Sequence, residues 1–309
     1  MGRRLRFIPP GGALVEVTSR TIQSRFLLRP SAGLREITLG VLGRAQRRYE
    51  VAIVAFVFLS NHYHLLVWVR DAEQLARFVG FLNSNLAREI GRLHGWREKV
   101  WGRRYQPVLV SDEPAAQIER VHYLFRQGIK EGLVSDPLEW PGATSLPAML
   151  DGRSLTGTWF DRTAECLARR REAGPCRQRF VSKEVVRLSP LPAWAHLAEG
   201  ERRRRLEDLL ELTRSEAASR IQSTGRKAVG PEGVERLDPW DIPAETRRGP
   251  APLVHAASGE ARAAIRAAYR CFVSTYRRAA DLLRSIGSAP IFPVGSFPPA
   301  RPFVRPAPA

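Results

Sequence analysis

Apolar positions change their spacing several times along the first 150 residues, and each change predicts an element. ALVEVTSR (13–20) has strand character. SAGLREITLGVLGRAQRRY (31–49) starts on a serine, a helix start signal, and places Leu34, Ile37, Leu42 and Ala45 at helical spacing. VAIVAFVFL (51–59) is an unbroken β-branched and aromatic run of the kind buried on both faces. A Ser60-Asn61 turn leads from it into HYHLLVWVR (62–70), so the two runs predict a hairpin. EQLARFVGFLNSNLAREIGRLHG (73–95) predicts a long amphipathic helix ending on glycine. RYQPVLVSD (104–112) predicts a further strand with an irregular or edge start at Pro107. EPAAQIERVHYLFRQGIKEG (113–132) predicts a helix with proline in its first turn and glycine at its end. The order β-α-β-β-α-β-α is that of an α+β, ferredoxin-like antiparallel sheet with packed helices.

SDPLEWPGATSLP (135–147) is a Pro/Gly-rich exit and places a domain boundary near residue 150. Beyond it, WFDRTAECLARRREAG and GERRRRLEDLLELTRSEAASRIQSTG (200–225) read as helices, joined through RLSPLPAWAHL. Residues 224–255 read as loop. The segment 260–287 carries Ile265, Tyr269, Phe272, Tyr276, Ala279 and Leu283 at spacings of three and four, so its tyrosines belong to a packed face. Residues 151–309 are therefore expected to be a mostly helical, basic extension with a Pro-rich tail.

Charge changes the picture. The chain of 309 residues carries 49 Lys+Arg against 31 Asp+Glu, a formal +18. Residues 1–150 hold 21 basic and 13 acidic side chains, the remainder 28 and 18, so the excess is not a basic tail. Most of it is arginine, which grips phosphate bidentately. A polyanion, most simply nucleic acid, is the expected partner, against the plainer reading of Arg-rich codon usage. Cys166, Cys176 and Cys271 are odd in number and widely spaced, forming neither a metal motif nor a disulfide framework. With no membrane-length apolar run and no convincing signal peptide, a cytoplasmic protein is expected.

Within this frame, FVFLSNHYHLLVWV (56–69) stands out, because two imidazoles in a buried strand are costly without partners. His62 and His64 share one strand face, with Cβ atoms about 7 Å apart, a spacing suited to two nitrogens on one divalent cation. Two hydrogen-bonded imidazoles at a strand end is the plain alternative. Tyr63 points the other way, into the core. Further on, Tyr123 and Gln127 are four apart on one helix face, which sets a phenol beside an amide oxygen. Arg103, Arg104, Arg120 and Arg126 crowd the approach, and Trp68, Trp101 and Tyr105 are candidate stacking platforms.

At these residues the sequence resembles a known family, the single-tyrosine HUH transposases of the insertion-sequence-200-like and REP-associated tyrosine transposase kind. LSNHYHLLV is similar to the family's His-hydrophobic-His strand. FLNSNLAREIGRLHGWREKVWGRRYQPVLVSDE is similar to its connecting helix and following strand. RVHYLFRQGIKEGLVSDPLEWPGATS is similar to its tyrosine helix and Trp-Pro exit. The resemblance covers roughly residues 10–147.

It implies metal-dependent nicking and strand transfer of single-stranded DNA, with Tyr123 as nucleophile and a 5′-phosphotyrosine intermediate. His62, His64 and Gln127 would hold Mg²⁺ or Mn²⁺, and the partner would be single-stranded or hairpin DNA. Arg103, Arg104, Tyr105, Arg120, Arg126, Arg226 and Lys227 are the expected DNA contacts, with Arg247 and Arg248 as further candidates. REP-associated members usually carry Asn-Pro where this chain has Gln127-Gly128; glutamine resembles the other branch. The oligomeric states compatible with this reading are a homodimer and a monomer. A catalytically inactive DNA-binding regulator and a replication-initiator-type nickase are the alternatives.

Overall fold

The computed structural model describes residues 4–171, 174, 176–244, 252–286 and 290–299. Arg247, Arg248 and residues 300–309 lie outside them. The first half folds as β1 (Ala13–Arg20), α1 (Ala32–Tyr49), β2 (Ala52–Phe58), β3 (His62–Val69), α2 (Ala72–His94), β4 (Gln106–Val110) and α3 (Pro114–Phe125). Local chemistry sets the ends. Ser31 Oγ accepts from the Leu34 N–H at 3.2 Å to start α1, and Asp71 Oδ1 accepts from the Gln74 N–H at 2.7 Å to start α2. Gly95 ends α2 at φ 66°. α3 is shorter than the spacing predicts, because Gly128 turns the chain at φ 85°.

Strands run in the order β2-β3-β1-β4, every neighbouring pair antiparallel, which is the ferredoxin-like arrangement expected. Opposed residues in an antiparallel pair present their side chains on one face. The register sets Arg20 across from His62, Thr18 across from His64 and Glu16 across from Leu66. Tyr63, Leu65 and Val67 face the other way, with Val15 and Val17, into a core shared with Leu42 of α1 and Phe78 and Leu82 of α2. The histidine face carries its own core of Leu14, Val57, Leu66 and Val110 beneath Val121 and Phe125 of α3. Helices thus cover both faces of the sheet.

The second half is α4 (Leu146–Asp151), β5 (Leu155–Phe160), α5 (Arg162–Arg169), β6 (Val181–Val186), α6 (Glu199–Thr224), α7 (Pro231–Glu235), β7 (Val254–His255) and α8 (Gly259–Ile286). Three strands appear where helix or loop is expected. β5 and β6 form an antiparallel hairpin laid on α1, and β7 joins the main sheet as a parallel neighbour of β4. The five-stranded sheet is therefore mixed rather than purely antiparallel. The hairpin meets α1 backbone on backbone: a Cβ added at Gly40 would lie 2.0 Å from the Thr158 carbonyl oxygen, and one at Gly157 2.2 Å from the Gly40 nitrogen. Ion pairs fasten it, the buried Glu184 meeting the more exposed Arg44 and Arg47 at 3.2 and 2.9 Å. Likewise Arg162 of α5 clasps Glu89 of α2 with two bonds of 2.7 and 2.6 Å.

Leu191, Trp194, Leu206 and Leu210 complete the core on the histidine face. Packing consequently runs straight across residue 150. α8 stacks Tyr269 and Phe272 on Phe7 at 5.8 and 5.1 Å, as its stripe predicts. No described helix is long and apolar enough to cross a membrane.

Candidate active site

The two histidine rings lie 5.0 Å apart on the buried face, 7% and 5% exposed. Both are partnered, and the partners decide which nitrogen is left. Asn61 donates from Nδ2 to the Ser24 carbonyl at 3.1 Å, which turns its Oδ1 toward His62 Nδ1 at 2.6 Å. Glu16 Oε1 lies 2.7 Å from His64 Nδ1, and Thr18 Oγ1 lies 3.3 Å from the same nitrogen. An amide oxygen and a carboxylate only accept, so each Nδ1 carries a proton, and in a neutral ring Nε2 is then the nitrogen that keeps its lone pair. Burial above all, then His64, Arg20 and Lys130, holds His62 well below the usual histidine range, so it is a neutral imidazole. Burial pushes the Glu16 carboxyl up, yet the hydrogen bond from His64 and the charge and hydrogen bond of Arg120 counter it and leave Glu16 below its ordinary value.

Tyr123 sits over this face from α3, half-buried, with its ring 5.4 Å from His64 and nearly perpendicular to it. Two cations flank it. The Arg120 guanidinium is 4.5 Å from the ring centroid and Lys130 Nζ 4.4 Å, and Lys130 donates to the phenol oxygen at 3.1 Å. Gln127 donates from Nε2 to the Tyr123 carbonyl at 2.9 Å, while its Oε1 is buried with no hydrogen-bond partner. That orphaned oxygen is a donor a cation could use, since a buried polar atom is otherwise satisfied. Two imidazole nitrogens and an amide oxygen fit a divalent ion of the Mg²⁺ or Mn²⁺ class. Among the described residues no group of three or more His, Cys, Asp or Glu side chains could hold a metal.

The expected DNA contacts are placed unevenly. Arg103, Arg226 and Lys227 are exposed. Arg104 is exposed and donates to the Arg4 carbonyl at 2.7 Å. Arg126 pairs with Glu216 of α6 at 2.8 Å, which ties α3 to the second half. Two of the expected contacts are enclosed. The Arg120 side chain is 13% exposed and bound to Glu16 and Glu119, both at 3.2 Å. Tyr105 is 6% exposed, with Arg6 over its ring at 5.5 Å. Trp68 is 38% exposed, whereas Trp101 is tied down by its Nε1 bond to the Asn83 carbonyl at 2.8 Å. The three cysteines are free and exposed.

Sequence reasoning missed Glu16 and Lys130. Glu16 had one visible signal, a carboxylate between Val15 and Val17 in a strand on which it shares a face with Leu14. Lys130 had none, because it reaches Tyr123 only through the turn at Gly128.

Residues 19–125 match the family model described as Transposase IS200 like. Among solved structures the chain is similar to a REP-associated tyrosine transposase bound to a REP hairpin. That likeness has 15% identity and a TM-score of 0.41, and spans 49% of this chain and 86% of that one. It is also similar to a candidate transposase from Deinococcus radiodurans R1, at 17% identity and TM-score 0.28, over 39% of this chain and 95% of that one. No curated protein matches. The stretch that carries His62, His64 and Tyr123 is thus the part of the chain that matches the IS200-like transposase model.

Proposed function

We propose that the protein nicks and rejoins single-stranded DNA, with Tyr123 as the nucleophile. The observation that carries this reading is the half-buried phenol of Tyr123, held between Arg120 and Lys130 above two imidazoles that engage their partners through Nδ1. The family match over residues 19–125 supports DNA transposition in general terms. The phenol oxygen attacks the phosphorus of a phosphodiester as its proton leaves; the P–O3′ bond breaks, giving a 5′-phosphotyrosyl link and a free 3′-hydroxyl. Covalent capture retains the bond energy, so a later 3′-hydroxyl can reverse the step.

Lys130 stabilises the oxygen anion that forms when the proton departs, and Arg120 fixes the ring from its other side. His62, His64 and Gln127 would hold Mg²⁺ or Mn²⁺, which when bound supplies Lewis-acid polarisation of a phosphoryl oxygen. Burial holds His62 well below the usual histidine range, so it is neutral, as ligation requires. The experiment is incubation with a labelled, hairpin-bearing oligonucleotide and Mn²⁺ or Mg²⁺. A protein-linked label that chelator abolishes is the expected result; no adduct under any divalent ion overturns the reading.

A further inference from the structure

Glu16 is 4% exposed, and its two oxygens serve different partners. Oε1 lies 2.7 Å from His64 Nδ1, while Oε2 accepts from Arg120 at 3.2 Å. Arg120 in turn covers the Tyr123 ring at 4.5 Å, and that ring lies 5.4 Å from the His64 ring. His64, Glu16, Arg120 and Tyr123 therefore close a loop of contacts drawn from β3, β1 and α3. A buried carboxylate is expensive to keep, and an apolar residue would hold α3 on the sheet at least as well. A simple buried ion pair accounts for one of these interactions. It does not account for the division of the carboxylate between a candidate metal ligand and the support of the nucleophile.

We infer that Glu16 is a positioning residue that holds His64 with Nε2 free for a cation and, through Arg120, holds the Tyr123 phenol over the same face. This rests on the roles proposed above for His64 and Tyr123. The geometry makes Glu16→Gln a sharp probe, because a carboxamide has one accepting end and one donating end. If its oxygen faces His64, its NH2 meets the Arg120 guanidinium, donor against donor. If the oxygen faces Arg120, the NH2 donates to Nδ1 and moves the imidazole proton to Nε2, which blocks ligation. Either way one arm fails while side-chain volume is kept.

The test has two parts on the full chain. In the first, nitrogen NMR of the wild-type protein without metal should show His64 with its proton on Nδ1; a proton on Nε2 overturns the inference whatever the variants do. The second measures Mn²⁺ affinity from the metal-induced rise in melting temperature, and adduct formation in a single turnover. Glu16→Gln should weaken Mn²⁺ binding roughly 10- to 100-fold where the amide turns its NH2 to His64, the usual effect of losing a group that orients a ligand, and should slow adduct formation where it turns its NH2 to Arg120. Arg120→Met should leave Mn²⁺ affinity within about twofold and slow adduct formation at saturating metal, with Arg120→Lys recovering part of the rate. Wild-type affinity and rate in Glu16→Gln would show that the carboxylate only packs. A wild-type protein that neither binds Mn²⁺ nor forms an adduct would refute the proposed function instead, and the tautomer measurement would still judge Glu16.

Discussion

Lys130 Nζ stands 3.1 Å from the Tyr123 phenol oxygen, although the lysine lies beyond the end of α3 and the tyrosine within it. The turn at Gly128 brings the ammonium back over the ring. A hydrogen bond to a charged group contributes about 1.5–3 kcal/mol when well shielded. Lys130 is exposed, so the lower end applies. Lys130→Met should slow adduct formation roughly tenfold, by the usual exponential relation of barrier to rate. Single-turnover rates for the two proteins measure this, and equal rates would remove Lys130 from the mechanism.

Tyr123→Phe deletes only the attacking oxygen. The ring still packs on His64 and Arg120, so the melting temperature and oligonucleotide affinity should stay near wild type while the covalent adduct disappears. A label that still becomes attached to this variant would reassign the nucleophile.

His62→Ala and His64→Ala should each abolish the rise in melting temperature produced by Mn²⁺, because a ligand that binds only the folded protein stabilises it in proportion to its affinity. Metal-dependent adduct formation should disappear with it. Retention of the metal-induced rise in both variants would make the imidazoles purely structural.

Gly40→Ala tests how the second half is seated. The added methyl would collide with the Thr158 carbonyl, a backbone group that cannot swing aside. The variant should be destabilised by about 1–3 kcal/mol, the usual cost of overpacking, read as a lower urea midpoint. Its neighbour Gly33, where a Cβ meets nothing within 4 Å, is the control.

A chain cut near residue 150 would lack Trp194, Leu206 and Leu210 in the core on the histidine face, so it should be unstable rather than simply weaker in DNA binding. The contribution of the second half is better tested with Arg226→Ser/Lys227→Ser in the full chain. For a single strand, each phosphate that these side chains no longer neutralise should reduce the slope of log K against log salt by about 0.7. An unchanged slope would mean that this loop does not meet DNA.

Much of the first half is legible in the sequence because its elements are specified locally. The Ser31 cap of α1, the Ser60-Asn61 turn and the glycine end of α2 are each marked by the residue types that stand there. The second half is less so. LTGTWF (155–160) becomes a strand because Gly157 lets its backbone lie on Gly40, a residue far away in the chain, and no local pattern announces that approach. Likewise Val254 and His255 become strand only by pairing with Leu109 and Val110.

The site divides in the same way. Strand alternation alone put His62 and His64 on one face, and helical spacing alone put Tyr123 beside Gln127. The resemblance to single-tyrosine transposases joined them in sequence, and the sheet brought His64 and Tyr123 together in space. Which nitrogen of each histidine is free, and what steadies the tyrosine, were tertiary decisions. Glu16 meets His64 because β1 pairs with β3 in one register, and a slip of one residue would turn its carboxylate to the opposite face. Arg120 reads as a surface cation in a helix, yet the fold lays that helix over Glu16 and makes the arginine an internal brace, since a buried carboxylate must find its counter-charge where the packing offers one.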